Sequence, residues 1–357
     1  MNASYLFLYR YTIPLTEEVN VRGHRINGRE GIVLALQSRD GKRGAFGEIA
    51  PLPGLHDECL DMAEAQLIDC ISSRRLTTGD ELPDGLYPSV RTGLEMATIN
   101  LAATVSGNPP SFFPETESSK RLPLNALLYG NTPDVLNRAE TLFNNGYRTF
   151  KLKVDAKSAA NTVECISALY AKYGNRIELR MDANQTFTLD EAVDFAARIP
   201  KGAVSYIEEP LRDAAAIGEF HARSAMLSAL DETLWQRPGI ADSLPVEALK
   251  ALVLKPNRLG GIEAVIRLMR KAEKAGLQTV LSSAFESGIS LGMYAWLAAS
   301  ASTKPVACGL DTFRYLKHDL VETPFGTSDG VIDARKAFID GQKVDLHAIN
   351  LLSIWTL

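Results

Sequence analysis

Six ionisable residues stand out by type and by spacing: Lys151, Lys153, Asp182, Glu208, Asp231 and Lys255. They belong to short apolar runs that read Phe150-Lys151-Leu152-Lys153, Arg180-Met181-Asp182, Ile207-Glu208-Glu209-Pro210, Leu230-Asp231-Glu232 and Leu252-Val253-Leu254-Lys255. As successive parallel strands, three of these runs each bring a carboxylate to the same end. Like charges so placed repel unless a cation sits between them. Oxygen donors and an open coordination sphere suit Mg2+, with Mn2+ as a substitute, whereas a softer metal calls for Cys or His. Asp182, Glu208 and Asp231 are therefore the predicted metal ligands. Side chains alternate across a strand, so Lys151 and Lys153 share a face, as do Arg180 and Asp182. An isolated lysine, with a pKa of about 10.4, is a poor base at neutral pH. Crowding by Lys151, Lys255 and the cation is expected to lower Lys153 toward the working range. On this reading Lys153 is the base, Lys255 its partner across the site and Lys151 an electrostatic neighbour. Such a set suits removal of a proton beside a carboxylate: one lysine takes the proton, while the other and the cation offset the charge that develops.

These residues need strands that all end on one rim. Short apolar runs at 122–128, 149–154, 177–183, 204–208, 228–231, 252–255, 279–282 and 306–310 alternate with helical segments such as 135–145 and 261–275. Eight such units predict an α/β fold, a TIM-type (β/α) barrel whose active site lies at the C-terminal ends of its strands. An open doubly wound sheet fits less well, because no glycine-rich phosphate loop follows the first strand of either half. Before the barrel, strands at 4–13 and 31–38, with turn signals at Asn27-Gly28 and Asp40-Gly41, lead into a helix over 88–105. Residues 109–120 read as a linker. The expected division is an α+β capping domain over 1–120, the barrel over 121–315, and a C-terminal segment, 316–357, that packs back on the cap and completes it.

At 357 residues, 46% hydrophobic and 23% charged, the chain has the composition of a soluble globular protein of two domains. Its net charge of −5 comes with scattered Lys and Arg, which argues for a small-molecule carboxylate substrate and against nucleic acid. No apolar run is long enough to span a membrane, and Arg10, Glu17, Glu18 and Arg22 interrupt any signal-peptide core. Cys59, Cys70, Cys165 and Cys308 form no metal-binding spacing and read as buried thiols. A cytoplasmic location is expected.

At its lysines and carboxylates the chain resembles the enolase superfamily, and within it the muconate-lactonising-enzyme subgroup. Lys151 and Lys153 match the subgroup's Lys-x-Lys motif, Asp182, Glu208 and Asp231 its metal carboxylates, and Lys255 its opposing lysine. The segments Gly47-Glu48-Ile49-Ala50-Pro51-Leu52-Pro53-Gly54, Ser282-Ser283-Ala284-Phe285-Glu286-Ser287 and Gly309-Leu310-Asp311-Thr312 look like those of the o-succinylbenzoate synthase family. The resemblance implies a syn dehydration that yields an aromatic ring, with Ser282, Ser283 and Gly309 at the substrate. From its shared face with Asp182, Arg180 is expected to set substrate or lysine electrostatics, and Asn184, Glu209 and Glu232 to surround the metal ligands; the loop at 21–29, with two glycines, reads as a lid or as a plain hairpin turn. Dipeptide epimerases and N-succinylamino acid racemases of the same subgroup are the alternative. Against the epimerases, the Asp-x-Asp they carry near the eighth strand is here Asp311-Thr312-Phe313. A Schiff-base aldolase using Lys255 as nucleophile leaves the three carboxylates unexplained.

Overall fold

The computed structural model describes residues 3–38, 41, 44–73, 82–113 and 120–357. The Asp40 half of the predicted Asp40-Gly41 turn and residues 114–119 of the predicted linker lie outside them. The chain begins with three antiparallel strands, β1 (Ala3–Val21), β2 (His24–Ser38) and β3 (Gly44–Ile49), followed by α1 (Leu60–Ser72) and α2 (Pro88–Ser106). Buried Leu6, Leu8, Ile32, Leu34 and Leu36 pack against Leu67, Val90, Leu94 and Ala97 of the two helices. Period-2 alternation on the strands and a helical stripe facing it give that layer its apolar core. Close packing of α2 on β3 depends on two glycines. A Cβ on Gly47 would collide with the Gly93 carbonyl, and one on Gly93 with Ile49.

The hairpin between β1 and β2 turns at Arg22-Gly23, with φ of 49° and 88°, and not at the predicted Asn27-Gly28. Val21 pairs with His24, which leaves a two-residue loop; two successive positive φ values suit the right-handed twist of the strands. Asn27 and Gly28 instead lie inside β2, where Gly28 opposes Pro14. The strands therefore run beyond the predicted 4–13 and carry the hairpin tip forward.

The second layer is a parallel barrel. Its regular strands are β4 (Arg121–Pro123), which pairs outside the ring, then β5 (Asn125–Leu128), β6 (Thr149–Lys153), β7 (Glu178–Asp182), β8 (Tyr206–Glu208), β9 (Ser228–Leu230), β10 (Leu249–Leu254) and β11 (Gln278–Leu281). From β5 to β11 they form one seven-stranded sheet in chain order. The eighth position is taken by the run at 306–310. It is not a regular strand but two bridges, Leu124 to Cys308 and Ser282 to Gly309, which join β5 to β11 and close the ring. Helices α3 (Thr132–Asn144), α4 (Ala159–Tyr173), α5 (Leu189–Arg198) and α6 (Ile217–Ser224) return the chain between strands. After β9 and β10 come the short α7 (Thr233–Gln236), α8 (Pro238–Ser243) and α9 (Pro256–Leu259), then α10 (Ile262–Lys274) and the wholly buried α11 (Gly288–Ser300). Leu252 and Leu254 join the core under the helices, while Ala251, Val253, Ala229, Tyr206 and Val280 fill the barrel interior.

The tail divides. A strand, β12 (Val331–Asp333), pairs with β4, and α12 (Ala334–Asp340) packs on α11, so this part belongs to the barrel's surroundings and not to the cap. The final strand, β13 (Asn350–Thr356), pairs antiparallel with β1 and completes the cap sheet in the order β13-β1-β2-β3. Of the four cysteines, Cys70, Cys165 and Cys308 are buried as predicted. Cys59 is exposed, because it precedes α1 at a cleft on the cap.

Candidate active site

Strand parity puts the chemistry on one rim. Inward positions alternate, so Asp182 lies two residues beyond Arg180, Asp231 two beyond Ala229, and Lys255 two beyond Val253. Register places Lys153, Asp182 and Glu208 side by side on β6, β7 and β8. In a ring of eight positions β6 and β10 are four places apart, so Lys153 and Lys255 approach from opposite walls.

All three carboxylates are buried, each no more than 2% exposed, and each meets a lysine. Lys151 Nζ lies 2.8 Å from Asp182 Oδ2 and 2.8 Å from Glu208. Lys153 Nζ donates to Asp182 Oδ2 and Asn184 Oδ1, both at 2.6 Å, and Lys255 Nζ pairs with Asp231 Oδ2. Burial alone would lower the Lys151 pKa, but Asp182 and Glu208 outweigh it and hold the ammonium well above its usual range. For Lys255, burial is likewise outweighed, chiefly by Asp231, and the pKa is raised. On Asp182 burial works the other way, upward, and Lys151 and Lys153 overcome it to keep that carboxyl below its usual range. Lys151 and Lys255 are thus held cationic by the buried carboxylates they meet.

The neighbouring polar residues brace this set. Glu209 accepts from the backbone N–H groups of Asp231 and Thr233 and from the Thr233 hydroxyl, all at 2.7 Å, so it holds the Asp231 segment in place. Asn184 donates its backbone N–H to Asp182 and its side-chain amide to Glu232 at 3.1 Å. Glu232 also receives Arg22 from the cap hairpin at 2.7 Å. Asn184, Gln185, Glu209 and Phe285 all have positive φ, from 43° to 63°, a conformation costly for residues other than glycine and concentrated here on the rim.

The residues expected at the substrate separate in space. Ser282 and Gly309 are bridged at the rim and half-buried, and a Cβ on Gly309 would press on the Ser282 hydroxyl. Ser283 is buried and bonds to the Gly309 carbonyl and to Thr312. Arg180 does not face the rim. Its guanidinium reaches Glu178 at 3.0 Å and the Ala307 carbonyl at 2.7 Å and lies over Tyr206, so it fills the opposite end of the barrel. Parity gave its face correctly, but an arginine is long enough to double back toward the start of its own strand. A cleft of about 520 Å³ lies on the cap, lined by His24, Arg29, Pro53 and His56 among others and by none of the rim carboxylates.

Sequence reasoning missed Trp235, whose ring stands 5.4 Å from Lys255 Nζ and 5.6 Å from the Arg258 guanidinium. Its place four residues after Asp231 was the available signal. It also left Glu48 without a role; the residue crosses from β3 to the N-terminus of α11. There it accepts from Ser287 N at 3.0 Å, Ser287 Oγ at 2.9 Å and Ser290 N at 3.2 Å, with Tyr11 donating at 2.5 Å from the cap.

Among the described residues no three His, Cys, Asp or Glu side chains close into a ready coordination shell, since ammonium groups stand between the acids. The donor set nevertheless fits a hard divalent cation. It offers oxygen only, it converges from three adjacent strands, and Asp231 Oδ1 is buried without a hydrogen-bond partner.

The chain has known relatives over most of its length. Residues 134–338 match the family described as Enolase C-terminal domain-like, and residues 4–101 match MenC, N-terminal domain. An o-succinylbenzoate synthase of Haemophilus influenzae is 28% identical over 93% of this chain and 97% of its own length. One of Yersinia enterocolitica is 30% identical over 87% and 90%. Among solved structures, an enolase superfamily member from Roseovarius nubinhibens complexed with magnesium superposes with a TM-score of 0.85 at 18% identity, over 99% of both chains.

Proposed function

The chain belongs to the enolase superfamily, and from that membership we infer that it is a metal-dependent lyase. Its reaction is the syn dehydration of 2-succinyl-6-hydroxy-2,4-cyclohexadiene-1-carboxylate to o-succinylbenzoate, a step of menaquinone biosynthesis. The observation that carries the site assignment is the pair of lysines on opposite walls above three buried carboxylates.

Asp182, Glu208 and Asp231 would hold the cation, Mg2+ in this superfamily with Mn2+ as a replacement. When bound, it supplies positive charge against the substrate carboxylate as that group gains electron density. Lys153 is the base. Its side chain is 44% exposed, against 17% for Lys151 and 13% for Lys255, so of the three it is the most open to the mouth of the site. In its neutral form it breaks the C–H bond alpha to the carboxylate. The same nitrogen, now protonated, gives that proton to the departing hydroxyl on the same face, and the C–O bond breaks to release water. Loss of water completes the aromatic ring. Lys255, kept cationic by Asp231, supports the intermediate from the other face, and Lys151 neutralises two of the carboxylates. Asn184 orients Lys153 through its Oδ1. Ser282 and Gly309 contact the substrate at the rim.

The epimerase reading loses ground at Asp311. That carboxylate accepts from Tyr147 at 2.6 Å and Arg314 at 2.8 Å, so it is committed within the protein and not free to hold a substrate ammonium. The substrate is a small carboxylate. We place the enzyme in the cytoplasm; among the described residues no helix is long and apolar enough to cross a membrane. The deciding experiment is an assay of o-succinylbenzoate formation with Mg2+ beside a panel of dipeptides and N-succinylamino acids. Rapid alpha-proton exchange on the panel with no o-succinylbenzoate formed would overturn the assignment.

A further inference from the structure

Lys255 ends β10, and its backbone is held by the turn that follows: the N–H groups of Arg258 and Leu259 both bond to the Lys255 carbonyl. That turn is fastened to the cap at several points. Thr92 Oγ1 donates to the Pro256 carbonyl at 2.9 Å, the Asn257 amide to the Ala50 carbonyl at 2.8 Å, and Arg258 pairs with Asp57 at 2.9 Å. The remaining link is His56. Its Nδ1 lies 2.9 Å from the Leu52 N–H and its Nε2 lies 3.0 Å from the Asn257 carbonyl.

These two bonds fix the ring's state. A backbone N–H can only donate, so Nδ1 must accept; a carbonyl can only accept, so Nε2 must carry the hydrogen. A second proton on Nδ1 would face the Leu52 N–H and break the bond. We propose that His56 is a positioning residue for this reaction: its neutral imidazole ties the cap segment 50–59 to the turn carrying Lys255 and so sets where that ammonium stands. The proposal rests on the role assigned to Lys255 under the proposed function.

The surroundings keep the ring neutral. Burial lowers the His56 pKa, Arg258 and Arg29 act in the same direction, and Glu58 and the Asn257 carbonyl oppose them. The ring also lines the cap cleft, so a proton can reach it. The link extends further toward the hairpin. Gly54, at φ 83°, lies so close to the tip of β1 that a Cβ there would meet the Val21 carbonyl and, at 2.9 Å, His24.

The test measures kcat, KM and Tm across pH for the wild type, His56→Gln and His56→Phe, with the emission of Trp235, which touches both Lys255 and Arg258, isolated by a Trp235→Phe control. The wild type should lose kcat and shift its Trp235 emission together on the acid side. His56→Gln keeps a donor for the Asn257 carbonyl but cannot titrate. It should retain kcat within about threefold at neutral pH and lose both acid transitions. His56→Phe should lose about tenfold or more in kcat with little change in KM, since Lys255 acts after binding. A His56→Phe enzyme with wild-type kcat, even at lowered Tm, or a His56→Gln enzyme whose emission still shifts as in the wild type, would overturn the proposal. Should His56→Phe not fold, the His56→Gln profile decides. Should the wild type make no o-succinylbenzoate, the reaction assignment fails, while the emission profile still tests the link from His56 to the Lys255 turn.

Discussion

Lys153 differs from its two neighbours in exposure, with 44% of its side chain open against 17% for Lys151 and 13% for Lys255. Lys151 is clamped between Asp182 and Glu208, whereas Lys153 bonds to Asp182 and the neutral Asn184. Lys153→Ala should therefore lower turnover by about 10²–10⁴-fold, the usual worth of a general base, with the fold intact by circular dichroism. Lys151→Ala should instead lower Tm, because it uncovers two buried acids. Wild-type turnover by Lys153→Ala would remove it from the base role. Asp231 invites a second test, since its Oδ1 has no internal partner. Asp231→Asn should weaken divalent-ion binding by calorimetry and remove most of the rate, and excess chelator should silence the native enzyme until Mg2+ is restored. Turnover that survives chelation sinks the metal assignment. The six charged residues were legible because parity and strand-end position place them with little freedom. Arg180 and Trp235 were not, because the direction of a long side chain and the path of a short helix after a strand depend on packing that no local pattern encodes.

At the scale of elements, the junction between β3 and α11 carries most of what was hidden. Glu48 caps α11 from another domain, and a partner more than two hundred residues away leaves no trace in local spacing. The strand runs of the barrel, by contrast, show as apolar segments of the right length. The eighth was readable as a segment but not as a pair of bridges. Asn27-Gly28 has turn composition, yet pairing with Pro14 across the sheet outweighs that preference. Beside Glu48 lies Glu286, whose carboxyl is pushed up to about 7 from an ordinary 4.5, first by burial and then by the Glu48 charge. The folded protein thus holds this proton more tightly than the unfolded chain. Its stabilising contribution is complete below about pH 4.5 and is lost as pH rises toward 7, which amounts to about 3 kcal/mol from the shift. Glu286→Gln should flatten that decline, read as denaturation midpoints at pH 5 and pH 8. Parallel slopes for the two proteins would show that Glu286 does not titrate there.

Taken whole, the molecule is a barrel whose mouth is served by a cap drawn from both ends of the chain. Arg22 at the hairpin tip, Arg29 against the carbonyls of Ala50, Pro51 and Phe285, and Glu48 at α11 bind the cap to the rim. Composition and rhythm announced a two-part α/β chain, but not which segment of the tail joined which part. A chain ending at Ile349 should keep its barrel and lose the outer strand of the cap, with Tm down by several degrees and greater light scattering on heating, as a bare strand edge recruits other chains. Unchanged Tm and scattering would mean that β13 is dispensable.

The pairing of Tyr5 with Thr356 also sets a timetable. A ribosome adding about 5–20 residues per second needs on the order of tens of seconds to travel from one to the other. Throughout that interval β1 has emerged while its outer neighbour does not yet exist, so the first sheet begun is the last one finished. The nascent chain must shield that edge while the whole barrel is being made. Translation speed and chaperone supply are therefore expected to bear on how much folded enzyme a cell recovers.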